Sequence, residues 1–166
     1  MYEIFGEMDS AEEINTAAEG LKKEGDKENL YKLAEENGID RAFADMYLDG
    51  TTEVLCCDAA TAALGKIDVE EEVLQPVEIF ADWVEYIKTL CSDDEAFARA
   101  VRRKDRSLDG CIAHIMKWAY ENMYDIPDRI KQMAGISRQV KEGIPGERTK
   151  RRLIKEYYLG TGGKDK

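Results

Sequence analysis

Proline is scarce in this chain: Pro76, Pro127 and Pro145 are the three among 166 residues. Alternating runs of β-branched residues are missing, so little in the sequence favours a sheet. Histidine occurs once, at His114, and the four cysteines (Cys56, Cys57, Cys91, Cys111) contain no C-x-x-C pair. Cys111 and His114 stand three apart and could share a metal, but a structural zinc site needs four ligands; no metal or cofactor is expected. No apolar run approaches the ~18 residues of a membrane span. The start, MYEIFGEMDS, lacks a basic region followed by an apolar stretch, so no signal peptide is expected. The expected setting is a reducing cytoplasm with free, mostly buried thiols. P-loop, G-x-G-x-x-G, H-E-x-x-H and G-x-S-x-G patterns are all lacking, and the chain is not expected to be an enzyme.

What is plentiful is charge, unevenly placed. Residues 1–95 hold 26 acids and 7 bases, a balance of −19; residues 96–166 hold 9 acids and 17 bases, a balance of +8. The total is −11. The sign changes within DDEAFARAVRRKDR, residues 93–106. Such asymmetry fits either a charged partner or two halves packing on each other.

Apolar residues recur at helical spacing almost throughout, which predicts an all-α fold: a compact multi-helix bundle with an acidic N-terminal helical module and a basic C-terminal helical half. Asp9 or Ser10 opens a helix that Gly25 ends; further helices are expected up to Gly38 and between Asp40 and Gly50. TTEVLCCDAATAALG reads as a helix capped by Thr51 or Thr52 and stopped by Gly65, with Val54, Leu55, Ala59, Ala62 and Ala63 as its seam. From Pro76 a helix is expected to bury Val77, Phe80, Val84, Ile87 and Cys91. Ser107 can cap the next, whose stripe is Leu108, Ile112, Ile115, Met116, Ala119 and Met123; His114 then packs beside Trp118. A short helix is expected between Asp125 and Gly135, then a last one in GERTKRRLIKEYYLG. The organisation predicted is an acidic module at 1–75, a second helical domain at 76–160 and a flexible tail at 161–166.

Three charged groupings stand out. Arg99, Arg102, Arg103 and Arg106 fall at i, i+3, i+4 and i+7, which on one continuous helix makes a single guanidinium face suited to phosphates or carboxylates. Arg148, Arg151 and Arg152, with Lys150, Lys155, Tyr157 and Tyr158, make a second basic cluster that could grip a nucleic-acid backbone. Glu12, Glu13, Glu35, Glu36, Asp45, Asp49, Glu70, Glu71 and Glu72 are expected as surface carboxylates able to imitate the charge line of duplex DNA. Each grouping also has a plainer reading: internal pairing, or a solvated face.

SDDEAFARAVRRKDRSLDGCIAHIMKWA, residues 92–119, resembles the PcfK-like proteins of conjugative elements. An acidic start leads to a basic run and a C-I-x-x-I helix, at Asp93, Asp94, Phe97, Ala98, Arg103, Lys104, Cys111, Ile112 and Ile115. The family's later H-Y-Y is met by Glu156, Tyr157 and Tyr158, without the histidine. YKLAEENGID and YLDG look like the front of mobile-element proteins classed with PcfK-like type II-A anti-CRISPRs. The resemblance implies an inhibitor that binds the type II CRISPR nuclease with its guide RNA and blocks target-DNA engagement, with the acidic residues named above as contacts. The alternative is a conjugation or plasmid accessory that binds nucleic acid through the basic half.

Overall fold

The computed structural model describes residues 3–160, and the expected tail at 161–166 lies outside them. The fold is all-α. The helices are α1 (Ala11–Glu24), α2 (Lys27–Glu36), α3 (Arg41–Asp49), α4 (Ala59–Leu74), α5 (Ile79–Asp93), α6 (Glu95–Arg102), α7 (Leu108–Glu121), α8 (Asp128–Met133) and α9 (Glu147–Leu159). One feature was not foreseen: β1 (Tyr124–Asp125) and β2 (Lys141–Glu142) form an antiparallel pair, with Tyr124 opposite Glu142 and Asp125 opposite Lys141.

The chain divides into two compact units, Met1–Asp109 and Gly110–Lys166. The boundary expected after residue 75 is therefore misplaced. It falls inside the first unit, where α4 packs against both α5 and α6. The charge balance also shifts: the first unit holds 28 acids and 12 bases, net −16, and the second 7 acids and 12 bases, net +5.

In the first unit the local signals work as the sequence suggests. The Ser10 hydroxyl accepts the Glu13 amide, and the Glu13 carboxylate accepts the Asp9 amide at 2.6 Å, so two orphan donors at the start of α1 are satisfied. Asp26, Asp40 and Asp58 cap α2, α3 and α4 in the same way. Ile14, Ala18, Leu30, Leu33, Ala34 and Ala44 are buried in one apolar cluster with Leu55, Cys56 and Ala62.

The helix expected from Thr51 does not form there; α4 begins at Ala59. The reason is Asn15. Its carboxamide oxygen accepts the amides of Leu55 (3.0 Å) and Cys56 (2.8 Å), and its amino group donates to the Cys56 carbonyl at 2.8 Å. Those backbone groups are satisfied without a helix, and Val54 is left exposed. Gly65 does not stop α4 either, because the helix continues to Leu74. A β-carbon at Gly65 would lie 2.1 Å from the Asn37 carbonyl oxygen, and one at Gly38 (φ 64°) would lie 2.2 Å from the Gly65 carbonyl oxygen. The missing side chains let the α2–α3 turn cross α4 backbone to backbone. Helix α5 starts at Ile79 rather than Pro76, after two non-glycine residues with positive φ, Gln75 and Glu78; Val77 is exposed.

In the second unit Cys111, Ile112, Ile115 and Ala119 of α7 and Leu153, Ile154 and Tyr158 of α9 are buried. Met116 and Met123, expected in the α7 stripe, are exposed. Helix α8 starts at Asp128 with Pro127 before it, because Asp125 is taken up in β1; the Gly135 stop is present, with φ 70°.

Candidate interaction surface

The basic run at 99–106 is where sequence and structure part most. Helix α6 ends at Arg102, so the four arginines do not share one helical face. Asp94 closes α5 and caps α6, its carboxylate accepting the Phe97 amide at 3.1 Å. At the other end the chain turns extended at Arg103, and the carbonyls of Arg103 and Arg106 accept from the Lys66 ammonium at 2.8 and 2.6 Å. Fully buried Lys66 also pairs with Glu7, and Glu70 lies 3.9 Å away. A buried ammonium has thus taken the carbonyls that a longer helix would have used itself.

Arg102 is buried too, 1% exposed, and it donates to the Ala62 carbonyl at 3.2 Å and to Asn37. Exposed Arg99 pairs with Glu95 (2.9 Å) and Glu12 (3.3 Å), and Lys104 pairs with Glu13 (3.4 Å). Arg103 and Arg106 both meet Asp105 at 2.9 Å. Of the two sequence readings of this run, internal pairing describes the contacts. The exposed pairs, screened by water, contribute little; buried Arg102 and Lys66 position backbone.

Two expected surface carboxylates are also inside. Glu36 accepts the amides of Glu3 (2.9 Å), Ile4 (2.7 Å) and Phe5 (3.0 Å), which pins the N-terminal segment to α2. Glu70 accepts the Leu108 amide at 2.7 Å. Burial lifts the Glu70 carboxyl above the usual carboxylate range, against the pull of the Leu108 amide and the Lys66 ammonium. A raised acid favours the fold when protonated. That contribution is fully present below the usual range and is lost as pH climbs through the raised value. Glu70→Gln keeps an acceptor for Leu108, so its stability relative to wild type should be better at pH 7.5 than at pH 4.5. Equal differences in urea midpoint at both pH values would contradict this.

The remaining acids stay at the surface. Glu12 and Glu13 are engaged by Arg99 and Lys104. Asp45 accepts the Tyr31 hydroxyl at 2.6 Å and Asp49 the Thr51 amide at 2.8 Å. Half-buried Glu71 holds Lys88 at 2.6 Å, with Asp68 at 2.8 Å. Burial opposes the charge on Lys88, but these two carboxylates outweigh it and hold the ammonium at a pKa of about 12. Exposed Glu35 and Glu72 enter no ion pair among the described residues. They converge from α2 and α4 on a groove of about 330 Å³, with Glu3, Glu36 and one cation, Lys32, which pairs with Glu28 at 2.9 Å, also in its wall. Glu72 also borders a wider hollow of about 590 Å³, beside Asp68 and Glu71. Of the predicted set, the structure thus brings Glu35, Glu36 and Glu72 to one groove and Glu71 and Glu72 to the other hollow.

In the second unit the predicted basic residues Arg148, Arg151 and Arg152 are exposed on α9 with Lys155. Arg151 reaches Glu147 at 2.8 Å and Arg152 reaches Glu156 at 2.7 Å. His114 is half-buried, its ring 6.1 Å from that of Tyr157. All four cysteines are free, and only Cys57 is exposed. Burial pushes the Cys56 thiol up to about 11 and those of Cys91 and Cys111 to about 12. Among the described residues no cluster of three or more His, Cys, Asp or Glu is placed to hold a metal, and no helix is long and apolar enough to cross a membrane.

No family model matches this chain, and neither a curated protein nor a solved structure does. Many residues that carry the PcfK-like resemblance have structural tasks: Asp94 caps α6, and Phe97, Ala98, Cys111, Ile112 and Ile115 are buried. Sequence reasoning missed Asn15, Asn37 and Lys66. Lys66 could have been noticed as the one cation of α4, standing between Gly65 and Ile67.

Proposed function

We propose that this chain is a stoichiometric inhibitor of an RNA-guided type II CRISPR nuclease, and that the carboxylate face of α2 and α4 occupies one of the nuclease's cationic nucleic-acid channels. The observation that carries the reading is the fate of the charges. Arg102 is buried and Arg99, Arg103, Lys104 and Arg106 pair with carboxylates of the first unit, while Glu35 and Glu72 stay exposed, with no ion pair among the described residues, around one groove. The unit that bears them has a net charge of −16. The PcfK-like resemblance supplies the identity of the target; the electrostatics supply the mode. Nuclease channels of this class are lined with cations that hold nucleic-acid backbone and read DNA through arginines. A rigid array of carboxylates competes there without turnover, and its association is fast and salt-sensitive.

The test is target-DNA cleavage by purified, guide-loaded nuclease with increasing amounts of the protein. Cleavage should fall to completion near a one-to-one ratio and recover with added salt. Glu35→Lys/Glu72→Lys should raise the inhibitory concentration by about tenfold or more, mainly through slower association. Undiminished cleavage at several-fold excess of wild-type protein would refute the proposal.

A further inference from the structure

The outer face of α9 remains unexplained by an acidic inhibitory surface. Arg148, Arg151, Arg152 and Lys155 recur at i, i+3, i+4 and i+7, and all four are exposed, while Leu153, Ile154 and Tyr158 on the other side of the helix are buried. The helix continues from Glu147 to Leu159, so this face is real where the one expected at 99–106 is not. Arg148 and Lys155 enter no ion pair among the described residues. Arg151 and Arg152 have partners one turn away, Glu147 and Glu156. Exposed pairs of that kind hold weakly in water and exchange readily for a stronger anion.

We infer that this face is a contact for nucleic-acid backbone, separate from the carboxylate face of the first unit. From position 148 to 155 the helix rises about 10 Å at roughly 1.5 Å per residue. That spans about three phosphates at roughly 3.4 Å per strand. Guanidinium forks match phosphate oxygens in a bidentate way. The composition of the face argues against a protein partner. Interface cores are apolar and poor in lysine, and no large apolar residue is exposed between Arg148 and Lys155. Leu159, the last residue of α9, is exposed beyond the basic stretch, and other exposed apolar residues of this unit, such as Tyr120 on α7 and Met133 on α8, lie on other elements. A cationic face without an apolar centre suits a wet phosphate backbone. The overall charge of −11 is no obstacle at physiological salt, where a field fades over about 8 Å and the local face governs contact.

The experiment is fluorescence anisotropy with a labelled oligonucleotide of about 25 nucleotides, as single-stranded DNA, duplex DNA and RNA, in the absence of any nuclease. Binding is expected at about 50 mM salt, with a log–log salt slope near −3 for the duplex, as three phosphate contacts give. Arg148→Glu/Lys155→Glu should weaken it at least about tenfold and lower the slope by about two. The neutral pair Arg148→Gln/Lys155→Gln should lower the slope in the same direction and guards against misfolding by charge reversal. Glu35→Lys/Glu72→Lys should bind at least as well as wild type, which separates this result from the inhibition assay. No binding at low salt would overturn the inference, as would binding indifferent to both α9 pairs. A wild-type self-association that the α9 variants dissolve, with no oligonucleotide bound, would assign the face to a second copy and overturn it too.

Discussion

Gly65→Ala is expected to cost about 3 kcal/mol of stability, although alanine is the better helix former. The added β-carbon would sit 2.1 Å from the Asn37 carbonyl oxygen and 3.3 Å from that of Gly38. Both are backbone atoms and cannot swing away. Relief requires α4 to part from the α2–α3 turn, and that junction also holds Asn37, which donates to the Leu33 carbonyl at 2.8 Å and accepts from Arg102. The control is Gly20→Ala at an exposed position of α1, where a β-carbon meets nothing within 4 Å. That change should stabilise by about 0.5–1 kcal/mol. Urea unfolding followed by circular dichroism measures both. A Gly65→Ala midpoint within error of wild type would mean that the crossing is looser than described.

Lys66→Met is expected to cost about 3–5 kcal/mol, the range for breaking a buried ion pair from one side. Methionine has a similar length, so little cavity is created. The loss instead reports the stranded partners: the Glu7 carboxylate and the carbonyls of Arg103 and Arg106, which Lys66 joins at one point. The double variant Lys66→Met/Glu7→Gln removes the stranded charge and should recover part of the loss; the cycle gives the coupling. A single-variant cost under about 1 kcal/mol would show that water replaces the ammonium, and that the 103–106 loop is held by something else. Charge reversal at Arg102 would be a poor probe of surface binding for the same reason. The residue is inside, and Arg102→Glu would report folding.

Local chemistry was the most readable part of the chain. Ser10, Asp26 and Asp40 cap helices because short polar side chains beside an orphan amide have few better options, and Gly25 and Gly50 end helices in left-handed geometry; the Asp58 cap was hidden behind Thr51 and Thr52, which offer the same chemistry. The acidic face was legible only in part. Spacing marked Glu35 and Glu36 equally, yet adjacent helical residues point about 100° apart. Both border the same groove, but Glu35 is exposed to water, whereas Glu36 is buried and receives three amides of the N-terminal segment.

By itself the sequence determined that the chain is helical, where α1, α2, α3 and α9 begin and end, and that its charge is polarised. These depend on neighbours within a few positions, which the sequence lists in order. Tertiary structure alone decided that α6 stops at Arg102, that Gly65 serves a crossing rather than a helix end, and that Lys66, Glu36, Glu70 and Arg102 are inside. Each of those outcomes depends on a group more than 25 positions away, and desolvation makes that distant partner worth more than any local preference.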